Sequence, residues 1–150
     1  MAVSDYDKYQ SFLSTIPVLT KDPVWEKTCP KEGSFIGYKK CNAVGMFLEA
    51  DNPLYRNILK ICIVTLEIPE DAKRLQNFLS GKCRCDKAKV LKIETLDREE
   101  VNEAISKFYD KKITYKPGEM VYADYFEPCT WIECAGGIHF FMTKEEAIRY

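Results

Sequence analysis

Residues 57–68 (NILKICIVTLEI) constrain this chain more than any other segment. The β-branched Ile58, Ile61, Ile63, Val64, Thr65 and Ile68 suit a pleated surface and lose side-chain freedom in a helix. Lys60, Thr65 and Glu67 interrupt the run, so it falls short of the roughly 20 apolar residues a membrane-spanning helix needs. Pro69 ends it. It reads as the strongest strand of a sheet.

Further strands are expected at 34–41, 44–49, 88–94, 113–115 and 138–142. Residues 120–122 are expected to pair back on 113–115 as a hairpin around Lys116-Pro117-Gly118-Glu119. Helices are expected in four places. A short one runs to about Leu13 from a cap at Ser4 or Asp5. A second, over 71–79, is opened by Glu70 and Asp71 and stopped by Ser80-Gly81. A third follows the capping-box spacing of Asp97 and Glu100, with Val101, Ala104, Ile105 and Phe108 on one face. The last follows the capping box of Thr143 and Glu146 and reaches Tyr150. Strands outnumber helices without regular alternation. The expected fold is α+β: a compact single domain with a mixed or mostly antiparallel sheet of five to six strands and flanking helices. Residues 1–33, broken by Pro17, Pro23 and Pro30, form an N-terminal helix and loop extension, and residues 34–150 form the domain proper.

With 22 basic and 23 acidic side chains the chain carries no basic field for duplex nucleic acid. The start lacks the basic and then apolar pattern of a signal peptide, so a cytoplasmic location is expected, and no membrane partner. The seven cysteines are odd in number and should be thiols in a reducing compartment. Zinc would call on Cys83, Cys85, Cys129, Cys134 and His139, but C-x-C and C-x4-C depart from the usual paired C-x2-C units. No metal and no cofactor is expected.

Three groups of residues carry a resemblance. They are Gly37-Tyr-Lys-Lys-Cys41; Gly81-Lys-Cys-Arg84 followed by Ala88-Lys-Val-Leu91; and Tyr115-Lys-Pro-Gly118 leading to Glu133-Cys-Ala-Gly-Gly-Ile-His-Phe-Phe141 and Thr143-Lys-Glu-Glu-Ala147. Together, over roughly residues 34–150, they resemble an uncharacterised domain of phages, large DNA viruses and microbes, sometimes found beside pentapeptide repeats. The resemblance implies a common fold and a viral or phage setting. Tyr38-Lys39 and Gly137-Ile-His-Phe140 are also faintly similar to the early strand and the later Gly-x-x-Phe strand of ADP-ribosyltransferases.

Within these motifs lie the candidate site residues: Tyr38, Lys39, Lys40, Lys82, Arg84, Tyr115, Trp131 and His139. Arg offers a planar fork for phosphate, Lys a point charge, and Tyr or Trp a face for a base. His139, the sole histidine, is either a structural residue in a strand or a hydrogen-bonding group at a cleft. Residues from separate strands can converge at one end of a sheet, a common place for a site. The expected function is non-enzymatic binding of a small phosphate-bearing nucleotide signal, which in a phage setting would be an anti-defence sponge that sequesters a host immune messenger. Two alternatives stand beside it. One is a protein-interaction module that blocks a host protein. The other is a nucleotide-processing enzyme of ADP-ribosyltransferase-like fold, with His139 and Glu133 as acid and base. A homo-oligomer, most simply a dimer, is expected from the aromatic content and the N-terminal extension.

Overall fold

The computed structural model describes residues 27–108, 111–133 and 135–150. The expected N-terminal helix lies outside the described residues. Among the described residues are nine strands, a single 3-10 turn at Pro53–Tyr55 and one short α-helix: β1 (Phe35–Phe47), β2 (Leu59–Ile68), β3 (Arg74–Gln76), β4 (Cys83–Cys85), β5 (Lys87–Thr95), β6 (Ala104–Phe108), β7 (Lys111–Tyr115), β8 (Met120–Tyr122), β9 (Ile138–Phe140) and α1 (Lys144–Arg149). Six strands form one sheet in the order β7-β6-β1-β2-β5-β8, and β3-β4-β9 form a second; all pairings are antiparallel.

The run read as the strongest strand is β2, inside the large sheet. Cys41 lies opposite Cys62, and Val64 opposite Ile93. One face of β1, β2 and β5 presents Cys41, Ala43, Cys62, Val64, Leu66, Val90 and Ile93 to the core, where Cys83, Cys85, Ile138 and Phe140 of the small sheet meet them. The two expected strands 34–41 and 44–49 are one strand, bent at Gly45, where φ is +78°. Gly37 is required for another reason: a Cβ there would fall 2.4 Å from the Phe140 ring.

The α+β expectation with flanking helices is overturned: the fold is sheet-rich, and the one α-helix among the described residues, α1, is six residues long. In the segment expected as a helix over 71–79, Asn77 turns the chain back: its Oδ1 accepts from the N–H groups of Leu79 and Ser80, each at 3.0 Å. Arg74–Gln76 is thereby laid as a strand on Cys83–Cys85. Asp71 caps nothing and pairs with Lys87 instead. At Asp97 the capping-box spacing describes a tight turn rather than a helix start. Thr95 bonds Asp97 through its hydroxyl and accepts from the N–H of Glu99 at 3.0 Å, while Arg98 takes φ +67°. Ala104 and Ile105 of the expected apolar face then enter the sheet in β6, beside β1. Pairing with neighbours overrides local helix spacing here.

One further expectation fails in an instructive way. Residues 120–122 do not pair with 113–115: β8 joins β5 at the far edge of the sheet, while β7 lies at the opposite edge. Only the turn at 116–119 separates them in sequence. The sheet must therefore roll until its two edges approach, leaving a seam between β7 and β8. Among the described residues no helix is long and apolar enough to cross a membrane.

Candidate functional site

A cleft of about 1120 Å³ lies along this seam. Lys112 and Tyr115 come from β7, and Tyr122 and Tyr125 from β8 and the segment after it. Lys39, Lys40 and Cys41 reach it from β1, Lys82 from the turn before β4, and Gly136, Gly137 and His139 from the chain entering β9. The gap in the sheet beside β1 makes this opening. β6 pairs with β1 only at Asn42 and Ala43, and Phe141 bridges to Tyr38, its N–H and carbonyl both engaged at 2.7–2.8 Å. Between these two contacts the edge of β1 faces the cleft.

Alternation along β1 sends Lys39 and Lys40 to opposite faces. Lys39 shares the core-facing side with Cys41, and its Nζ donates to the His139 carbonyl at 2.9 Å. Burial lowers the affinity of its amine for a proton, and the nearby Lys82 charge lowers it further. Lys82 is 5% exposed and donates to the Tyr150 hydroxyl at 2.6 Å. His139 is hydrogen-bonded to the backbone of Ala135; burial, with Lys82, Lys39 and Arg84 around it, depresses its pKa to about 3, so the ring is neutral. The Tyr115 side chain is wholly buried beside Ser106; its hydroxyl makes no hydrogen bond of normal geometry, and burial raises its pKa. Burial also pushes the Cys41 thiol up to about 11 and Cys85 to about 12. These thiols are protonated, poor nucleophiles at neutral pH.

Of the eight residues singled out by sequence, Lys39, Lys40, Lys82, Tyr115 and His139 line the cleft, and Tyr38, Arg84 and Trp131 do not. Tyr38 points to the other face of β1, packing with Ile63, Phe141 and Ala147 of α1. Trp131 lies on the surface against Phe78, ring centroids 5.0 Å apart. Arg84 is 1% exposed, with its guanidinium engaged by main-chain carbonyls. Nε donates to Glu127 at 2.8 Å and one terminal nitrogen to Ile132 at 2.6 Å, while the other donates to Cys129. The fork that suits phosphate grips the 127–132 loop instead. Glu133 is exposed and does not line the cleft, so the imagined acid–base pair with His139 is not assembled there.

Sequence reasoning missed Lys112, Tyr122, Tyr125 and Tyr150 on the cleft wall. The clustering of Tyr115, Tyr122 and Tyr125 within eleven residues was a usable signal; Lys112 depends on the roll of the sheet, which no local pattern reports. Among the described residues, no three of His, Cys, Asp and Glu gather as a metal-holding group.

Fold and cleft together define a sheet-rich domain with a basic, tyrosine-lined groove between the edges of a rolled antiparallel sheet. The chain belongs to the family described as Family of unknown function (DUF5758), whose model matches residues 25–147. The match takes in 25–33, the end of the segment read from sequence as an extension. No curated protein and no solved structure matches the chain.

Proposed function

We propose that this domain is a binding module rather than an enzyme: it takes a small, phosphate-bearing nucleotide into the seam cleft and does not turn it over. The observation that supports this most is the lining itself: four lysines, Lys39, Lys40, Lys82 and Lys112, against a single acidic residue, Asp124, with tyrosine side chains on the same walls. None of the four forms an ion pair among the described residues. Lysine supplies point charges for a phosphate, and Tyr122 and Tyr125, both more than half exposed, offer ring faces to a base. In a viral setting such a domain would sequester a nucleotide messenger of host defence.

Isothermal titration calorimetry against cyclic dinucleotides and ADP-ribose derivatives tests the reading. Replacing Lys40 or Lys112 by alanine should weaken binding about tenfold, the effect of losing about 1.5 kcal/mol in a charge-assisted contact. If no nucleotide binds the wild type, or both variants bind as tightly, the reading fails.

A second reading, a protein-interaction module, draws on the apolar end of the β1–β2 hairpin, where Phe47, Leu48, Leu54 and Tyr55 are exposed. A second copy of the chain is the simplest partner to examine. A monomer mass by light scattering at high micromolar concentration removes that partner.

A further inference from the structure

We infer that Lys39 is a nucleophilic amine that condenses with the aldehyde or ketone of a small molecule held in the cleft, forming an imine at Nζ. The preference for an anionic carbonyl compound rests on the reading of the cleft given above; the reactivity of the amine does not.

The placement of Lys39 carries the argument. It lies on the core-facing side of β1 and still lines the cleft. It forms no ion pair with a carboxylate among the described residues, and the ionisable groups acting on it are the thiols of Cys41 and Cys85 and the second cation Lys82. A lysine in apolar surroundings next to another cation is the arrangement that frees an amine for carbonyl chemistry. Its hydrogen bond to the His139 carbonyl fixes the side chain and leaves room on the nitrogen for an incoming carbon. Lys82 cannot swing away easily, because Tyr150 holds its Nζ. Burial and the Lys82 charge both favour the neutral amine, in accord with this geometry.

The step balances without a further reagent. The Nζ lone pair adds to the carbonyl carbon, and the C–O π pair moves to oxygen, which takes up a proton to give a carbinolamine. The nitrogen loses a proton, the hydroxyl leaves as water, and amine plus carbonyl has become imine plus water. Lys40, on the opposite face of the strand, and Lys112, exposed on β7, lack the apolar setting and serve instead as contacts for an anionic group.

The test uses wild-type protein with limiting pyridoxal 5′-phosphate or benzaldehyde, reduction of any imine with borohydride, and peptide mapping by mass spectrometry. Lys39 is expected to carry roughly tenfold more reduced adduct than the exposed Lys89 and Lys116. Labelling of Lys39 no greater than that of Lys89 or Lys116 with both aldehydes overturns the inference. If benzaldehyde labels Lys39 as well as the phosphate aldehyde does, the amine chemistry stands and the anionic-ligand reading fails. If nucleotides bind by calorimetry while Lys39 resists both aldehydes, the cleft reading stands and this inference fails.

Discussion

Replacing Arg84 by methionine separates two roles for the arginine buried between the small sheet and the 127–132 loop. Methionine keeps most of the aliphatic volume and removes the fork. Three carbonyls then lose their donor, those of Glu127, Cys129 and Ile132. A hydrogen bond to a charged group contributes about 1.5 kcal/mol at the low end of the usual range, so the three together come to about 4.5 kcal/mol. Relief from burying a guanidinium offsets part of this, which leaves a loss of roughly 3 kcal/mol. A domain of this size has a total stability of about 5–15 kcal/mol, so the variant should fold, and its melting temperature should drop by roughly 6–12 °C. Differential scanning calorimetry reads the shift. Amide exchange over residues 127–137 should speed up selectively, because the loop loses its anchor. A phosphate-binding arginine predicts the reverse, weaker ligand binding with stability unchanged or improved. A melting temperature within about 2 °C of wild type would refute the clamp.

Gly37→Ala should destabilise by about 1–3 kcal/mol in urea titration, since the new Cβ meets the Phe140 ring at 2.4 Å and Ile68 at 3.1 Å. Thr143→Ala should cost about 1 kcal/mol, because the Thr143 hydroxyl caps α1 by accepting from Glu146 N–H at 3.2 Å; loss of the helix contact over Ile63 is read by the same titration. For His139 the folded pKa, about 3, lies below the ordinary value of 6.5, so the unfolded chain binds the extra proton first. Its stabilising effect is complete above about pH 6.5 and falls away between there and about pH 3, with a slope of up to about 1.4 kcal/mol per pH unit. His139→Gln should flatten the urea midpoint against pH between about 6.5 and 5.5, above most of the carboxylate titration; an unchanged slope there would show that the ring is not held neutral.

The strands of the large sheet were legible where β-branched residues are dense or apolar and polar residues alternate, as in 57–68 and 88–94. The errors came where a polar side chain serves both a helix cap and a turn. Asn77 and Thr95 each satisfy backbone N–H groups in a hairpin, and the spacing of Asp97 and Glu100 is equally compatible with a helix start. Which use prevails is decided by the strand each segment pairs with, the nearby β4 for Arg74–Gln76 and the distant β1 for Ala104 and Ile105. The lysines of the cleft were legible as motif residues but not as a group, because Lys39 and Lys40 face opposite ways and meet Lys112 only through the roll of the sheet. Arg84 was misassigned because a guanidinium's fork fits carbonyl oxygens of a loop as readily as those of a phosphate.

The pairing of β4 with β9 has a bearing on the order of assembly. The β1–β2, β3–β4 and β6–β7 pairs each join neighbours in the chain, whereas docking β9 also brings Phe141 to Tyr38, more than a hundred residues apart, a wider span than the one between β1 and β6. Closing the longer loop costs more entropy and is slow, so the hairpins should form first and β9 should dock last. Lys39 reaches its anchor, and Lys82 its tyrosine, only at that docking. A chain still emerging from the ribosome would hold most of its sheet and yet have no finished cleft. Pulse-labelled amide exchange during refolding should accordingly show protection at 62–66 before protection at 138–141.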